Sequence, residues 1–403
     1  MAKIKDRLQQ ARIAAGILDR KVYTGPWHVQ IDLTNRCNND CIACWCNSPL
    51  IGEKGMDPET RNKQLSRDTV FRLIDELDEL GVRTIYFTGG GEPFMHPDIL
   101  EFMRVIKQKG IHLDMSTNFT LVDRRVAEQL VDIGIDHMNL SLWAATPETY
   151  AVQHPNKDRQ TFLRMTETIE FIRDLKRRRG MSGPRLGMYN VINRENYFEI
   201  SEMLEYAYRH GMDDISFVPV DTVPECTDKI GLVEEHLDSL ARQIEAFPAK
   251  AAELQRRYGH RVDISHLETF AGRVQSTTAQ SAQYDAKLLQ SMPSCYAGWS
   301  FARILASGDV NSCLKSFKIP VGNIYEQSFK EIWLGEKQQE FRRKTIDYDI
   351  DNPYFKDMGN DRMTAEQGCI KCCDNLGLNM SVHEQLVTLT PLEKVALNIA
   401  KLL

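Results

Sequence analysis

Cys37-Asn38-Asn39-Asp40-Cys41-Ile42-Ala43-Cys44 stands two residues beyond the β-prone run His28–Thr34. A short strand thus ends in a loop that carries three thiols. The same alternation continues downstream. Strands are expected at His28–Thr34, Thr84–Thr88, His112–Thr117, Met138–Trp143, Arg185–Ile192 and Asp214–Val220. Between them, helices are expected at Ser66–Leu80, Pro97–Lys109, Val122–Ile133, Thr161–Arg178 and Tyr197–His210, where apolar residues recur at helical spacing, as in Val70, Leu73, Ile74 and Leu77. Gly81, Gly110, Gly134, Gly180 and Gly211 stand where these helices should close. Six such units in a row call for parallel strands covered by helices, as a partial barrel or an open sheet.

The rest of the 403-residue chain differs in character. Residues 1–26 read as a charged N-terminal helical extension without the apolar stretch of a signal peptide. Residues 227–292 read as a polar helical linker. Residues 293–385 bring a short strand at Phe301–Ala306, the turn Ser307-Gly308-Asp309 and the remaining cysteines, and 386–403 read as a C-terminal helix. No run of eighteen apolar residues occurs, so no membrane span is expected. A formal charge of −6, from 50 basic and 56 acidic residues, argues against nucleic acid or an anionic membrane as partner. The basic run Lys176–Arg179 falls at a helix C-terminus, where it complements the dipole.

Ten cysteines in such a chain read as metal thiolates in a reducing, cytoplasmic setting rather than as disulfides. Cys37, Cys41 and Cys44 are one thiolate short of a tetrahedral site; Cys46 would complete a zinc knuckle. Alternatively, three thiolates hold three irons of a cubane and leave the fourth open to bind a ligand. Gly89-Gly90-Gly91-Glu92-Pro93 follows the second strand. Glycines there let backbone approach a ligand closely, and ligands of parallel α/β folds bind at that edge of the sheet.

The spacing C-x3-C-x2-C with the Gly89–Pro93 run resembles the radical S-adenosylmethionine (SAM) superfamily, over roughly Trp27 to Cys226. The resemblance implies an α/β fold, a partial (β/α)6 TIM-like barrel with a small C-terminal α+β iron–sulfur domain. It also implies a [4Fe–4S] cluster on Cys37, Cys41 and Cys44. There SAM chelates the open iron, and its reductive cleavage yields a 5′-deoxyadenosyl radical that takes a hydrogen atom from an unactivated carbon. Gly89, Gly90 and Glu92 fall where the family contacts the methionine amino group, and Asn118 and Ser141 match positions that touch SAM. Two departures stand out. Ala43 replaces the usual aromatic residue before the third cysteine, with Trp45 a substitute, and Ser141-Leu142-Trp143-Ala144 replaces an S-x-D-G tetrad.

Cys295, Cys313, Cys369 and Cys372 supply four thiolates, enough for a closed zinc site or an iron–sulfur cluster. Together with Gly322-Asn323-Ile324 and Ile332-Trp333 they resemble SPASM and twitch extensions. No cysteine follows Cys373, so one auxiliary [4Fe–4S] cluster is expected, with Cys373 the alternative to Cys372. Cys226, Glu225 and Asp221, just past strand six, are candidates for hydrogen-atom or proton transfer; His154, after strand four, is another. The resemblance implies a low-potential electron donor such as flavodoxin or ferredoxin. With only about 26 residues before strand one, too few for a leader-binding module, the expected substrate is a small polar molecule such as a sugar or aminocyclitol. The alternatives are modification of a ribosomal peptide and a non-catalytic iron–sulfur or zinc scaffold.

Overall fold

The computed structural model describes residues 2–223, 225–275, 294–349, 352–358, 369 and 376–401. Six parallel strands form its centre: β1 His28–Asp32, β2 Thr84–Thr88, β3 His112–Thr117, β4 His137–Leu140, β5 Arg185–Ile192 and β6 Asp214–Pro219. Register is set pair by pair, with His28 opposite Thr84, Thr84 opposite His112, Asp114 opposite His137, and His137 opposite Arg185. Each connection carries a helix, as parallel pairing requires. The helix Arg67–Glu79 shows why these form. The Ser66 hydroxyl accepts from the Thr69 N–H at its start, and Val70, Leu73, Ile74 and Leu77 are all buried on one face. Asp123 and Asp158 cap the helices Arg124–Ile133 and Arg159–Arg179 in the same way. Gly134 and Gly180 end those two in the left-handed conformation that favours glycine.

The sheet runs on past both edges of the six. β7 Asp263–Ser265 adds parallel to β6, and β8 Phe301–Ile304 adds parallel to β1. β8 turns back through β9 Asp309–Asn311 to β10 Gly322–Asn323, both antiparallel, giving the order β10-β9-β8-β1-β2-β3-β4-β5-β6-β7. This is an open, partial barrel. β7 falls in the segment read as helical from sequence; three residues are too few for a period to show. The same segment also holds the helices Glu234–Tyr258 and Leu267–Gln275.

Arg303 of β8 reaches Asp32 of β1 in a buried ion pair, Nη2 to Oδ2 at 2.6 Å and Nε to Oδ2 at 3.1 Å. Its Nη1 also donates to the Leu314 carbonyl at 3.3 Å. The late cysteine hairpin is thereby tied to the first barrel strand. A second small core, built on Ile13, Ile17, Tyr296 and Trp299, fixes the N-terminal helix Ala2–Asp19. Its Arg12 donates to the Ala400 carbonyl at the end of the helix Pro391–Ala400. Among the described residues no helix is long and apolar enough to cross a membrane.

β4 stops at Leu140, three residues before the expected end. The reason is Trp143, whose φ of +57° is left-handed and incompatible with a continuing strand. The chain then enters a helix the sequence reading omits, Pro147–Gln153, capped by Thr146. With seven residues, it shows barely two turns of periodicity.

Candidate active site

The C-terminal ends of the strands enclose a cavity of about 360 Å³. The loop after β1 contributes Cys37, Cys41 and Cys44; the end of β2 gives Thr88, Gly89, Gly91 and Glu92. β3 gives Ser116, Thr117 and Asn118, the turn after β4 gives Ser141 and Trp143, and β6 leads to Asp221. Parallel strands end here together, so side chains far apart in sequence converge.

The cysteine loop is held by its neighbours. Asn118 Nδ2 donates to Asn38 Oδ1 at 2.8 Å, and Asn156 N donates to Asp40 Oδ1 at 2.9 Å. Each of the three sulfurs faces a nitrogen. Cys37 Sγ accepts from the Asn39 N–H at 3.4 Å and Cys44 Sγ from the Asn47 N–H at 3.3 Å. His154 Nδ1 lies 3.1 Å from Cys41 Sγ, and its Nε2 lies 3.2 Å from the Leu142 carbonyl. Burial holds His154 well below the usual imidazole range, at about 4. Burial also pushes Cys37 up to about 11 and raises Cys41 well above the usual thiol range, with Cys44 and Cys37 adding repulsion at Cys41. Cys37 and Cys41, raised in this way, ionise more readily beside positive charge. Backbone N–H donors on the Cys37 and Cys44 sulfurs and three clustered thiols fit an iron–sulfur cluster.

Glu92 is buried, and its carboxylate accepts from Thr117 Oγ1 at 2.7 Å, the Asn118 N–H at 2.7 Å and the Phe94 N–H at 3.1 Å. Burial raises it from 4.5 to about 7 despite these bonds. The carboxylate therefore forms above about pH 7, and in the ligand-free protein its burial lowers stability as pH rises from about 4.5 to 7. A ligand ammonium group paired with it should bind more weakly as pH falls, by about fivefold for the first unit below 7 and approaching tenfold per unit beyond. Equilibrium dialysis of SAM against the iron-loaded protein at pH 6 and pH 8 checks this. Glu92→Gln is expected to bind weakly at both values and to lose the slope.

Glycine is required beside Glu92 for reasons of space. A Cβ on Gly91 would lie 2.2 Å from the Arg36 carbonyl oxygen, and one on Gly89, where φ is +130°, 2.4 Å from Asp32 Cγ. Gly90 is not part of the cavity wall; its carbonyl accepts from Asn47 Nδ2 at 3.1 Å, bracing the cysteine loop. Trp45 lines the cavity and rests against Phe317 of the late segment, ring centroids 5.9 Å apart.

Of the three candidates past β6, only Asp221 reaches the cavity wall. It pairs with Lys315 Nζ at 3.4 Å. Glu225 points outward, its carboxylate on Lys54 at 3.0 Å and 84% exposed. Cys226 sits outside the wall, its Sγ donating to the Ile51 carbonyl at 3.8 Å. Sequence reasoning missed Lys315 and Arg273, which line the cavity, and saw Trp143, also in the wall, only as a departure from the tetrad. Lys315 and Arg273 arrive from the late hairpin and the helix after β7, and nothing local signals their approach. Trp143 stands where the S-x-D-G tetrad carries its acid. Its strained backbone is held by Asn196 Nδ2, which donates to the Trp143 carbonyl at 2.9 Å.

Among the late cysteines, Cys295 is pushed up to about 12 by burial and by repulsion from nearby Cys369, while its Sγ accepts from Asn379 Nδ2 at 3.4 Å. Cys313 sits just past β9, packed against the main core, with its N–H on Ser316 Oγ. Cys372 and Cys373 lie outside the described residues.

Residues 31–207 match the radical SAM superfamily, and residues 295–372 match the SPASM iron–sulfur cluster-binding domain. The tungsten-containing aldehyde ferredoxin oxidoreductase cofactor-modifying protein of Pyrococcus furiosus is 26% identical over 192 residues. That match covers 46% of this chain and about half, 49%, of the relative. A probable GTP 3′,8-cyclase of Metallosphaera sedula is 25% identical over 315 residues, 78% of this chain and 89% of its own length. Among solved structures, Streptococcus suis SuiB bound to S-adenosylmethionine has a TM-score of 0.59 at 15% identity, covering 82% of this chain and 70% of that one. Native anSMEcpe with bound AdoMet and Cp18Cys peptide has a TM-score of 0.59 at 14% identity, covering 93% and 99%. These two share the fold. Residues 31–207 form a radical SAM domain, which implies S-adenosylmethionine and a [4Fe–4S] cluster, and residues 295–372 a SPASM domain, which implies auxiliary iron–sulfur clusters.

Proposed function

We propose that this enzyme acts on an unactivated C–H bond of a small polar substrate, a sugar, aminocyclitol or related metabolite, in an oxidation, elimination or epimerisation. Cys37, Cys41 and Cys44 hold the SAM-cleaving cluster, and Glu92, with Gly89 beside it, receives the methionine amino group. Asn118 and Ser141 complete the SAM side of the cavity. Bound SAM, reduced by one electron from a donor such as flavodoxin or ferredoxin, supplies the 5′-deoxyadenosyl radical. Cys295, Cys313, Cys369 and Cys372 hold one auxiliary [4Fe–4S] cluster.

The observation that carries the substrate class is the group Asp221, Lys315 and Arg273 in the same cavity as the three cysteines. Fixed charges of both signs on a cavity of about 360 Å³ suit a compact molecule rich in hydroxyl or amino groups. Asp221 accepts a proton as such a substrate is oxidised, a role supported by its position in the cavity wall beside Lys315, 3.4 Å away.

Peptide modification is the second reading. It is favoured by the shared fold of SuiB, solved with its precursor peptide SuiA, and of anSMEcpe, solved with a Cp18Cys peptide. The test is the rate of 5′-deoxyadenosine release when iron-loaded protein, SAM and a reductant receive either the low-mass filtrate or the peptide fraction of a host extract. Stimulation by the filtrate alone supports the small substrate. Stimulation by the peptide fraction alone overturns it.

A further inference from the structure

A second cavity, of about 520 Å³, shares no wall residue with the first. It lies between the end of the N-terminal helix and the helix Glu336–Ile346, and four cations line it: Arg20, Lys21, Arg342 and Arg343. Among the described residues, no carboxylate does. Two of the cations have acid partners outside the wall. Arg20 holds Asp347 through two bonds of 2.8 and 2.7 Å, and Arg343 holds Glu336 at 2.6 Å.

Arg342 is different. It is 3% exposed, and its Nε donates to the Gly298 carbonyl at 2.8 Å. Its guanidinium carbon lies 4.3 Å from the ring centroid of Trp333 and 5.4 Å from that of Trp299. Both terminal nitrogens, Nη1 and Nη2, are buried without a hydrogen-bond partner among the described residues. The indole Nε1 of Trp299, in the same wall, is likewise buried and without a partner. Buried arginine is ordinarily paired, since an unpaired charge away from water is heavily penalised. Here desolvation draws Arg342 down to about 9. The aromatic rings satisfy its faces and leave its hydrogen-bonding edge unspent.

We propose that this cavity is a binding site for a phosphate-bearing small molecule, its phosphate taken by the Arg342 fork with help from Trp299 Nε1 and Lys21. A planar guanidinium edge matches two oxygens of a phosphate, and an indole N–H and an ammonium supply donors from other directions. The volume leaves room for more than the phosphate alone. The residues stand apart from the SAM cavity, so occupancy is readable without turnover.

The probes are inorganic pyrophosphate and, separately, acetate, titrated calorimetrically into the iron-loaded protein. The expected result is saturable pyrophosphate binding at one site per chain. Arg342→Lys, which keeps the charge and loses the fork, should weaken it about tenfold or more, and Lys21→Ala several-fold. Lys21 is exposed, so that variant tests the site even if the Arg342 variant does not fold. Absence of saturable binding, or affinity unchanged in Lys21→Ala together with any folded Arg342 variant, overturns the site. Acetate binding as tight as pyrophosphate, with the same sensitivity to these variants, overturns the assignment to phosphate.

Discussion

Replacing Cys37, Cys41 and Cys44 together by alanine is expected to reduce 5′-deoxyadenosine formation to background while removing about four irons per chain, the content of one cubane. About four should remain on the late cysteines. The size of the effect follows from the site. Cys37, Cys41 and Cys44 are the cysteines of this cavity among the described residues, and each sulfur already faces a nitrogen donor or ring nitrogen, at 3.4 Å for Cys37, 3.1 Å for Cys41 and 3.3 Å for Cys44. Without the sulfurs the wall offers no thiolate among the described residues, and no partial activity should survive. Iron and sulfide analysis beside product chromatography checks both halves. Cleavage retained by the triple variant would show that another site performs it.

Arg303→Met should be the most damaging single change outside the cavity. It leaves Asp32, 2% exposed, as a buried charge without its partner, which costs about 3–5 kcal/mol. The same change frees the Leu314 carbonyl, next to Cys313, so the late hairpin loosens from β1. Replacing both members, as Asp32→Leu with Arg303→Met, should recover most of the loss, because an apolar pair carries no stranded charge. Anaerobic urea denaturation of the single and double variants measures this. A single variant as stable as the parent would mean that the ion pair does not lock the two segments together.

The barrel was legible in the sequence because its strands and helices carry local signals. Val70, Leu73, Ile74 and Leu77 announce a helix by spacing alone, and Ser66 announces its start. The cysteine loop was legible for a similar reason, since ligand spacing within eight residues is a local property. What stayed hidden is non-local or too short to repeat. Nothing in Phe301–Ile304 says that it pairs with His28–Ile31, some 270 residues away. Nor does Arg303 advertise Asp32 as its partner. Trp143 was visible as a departure from a motif, yet its left-handed backbone arises from Asn196, which grips its carbonyl from beyond β5. Glu225 and Cys226 show the opposite failure. Closeness in sequence to Asp221 suggested a shared site, but the chain turns within four residues and sends them elsewhere.

The ligand-side chemistry rests on one claim, that the loop after β1 cleaves SAM. Iron-loaded wild-type protein, reduced with dithionite in the absence of oxygen and given SAM, should release 5′-deoxyadenosine and methionine in equal amounts. Fully iron-loaded, reduced protein that releases neither would contradict the account.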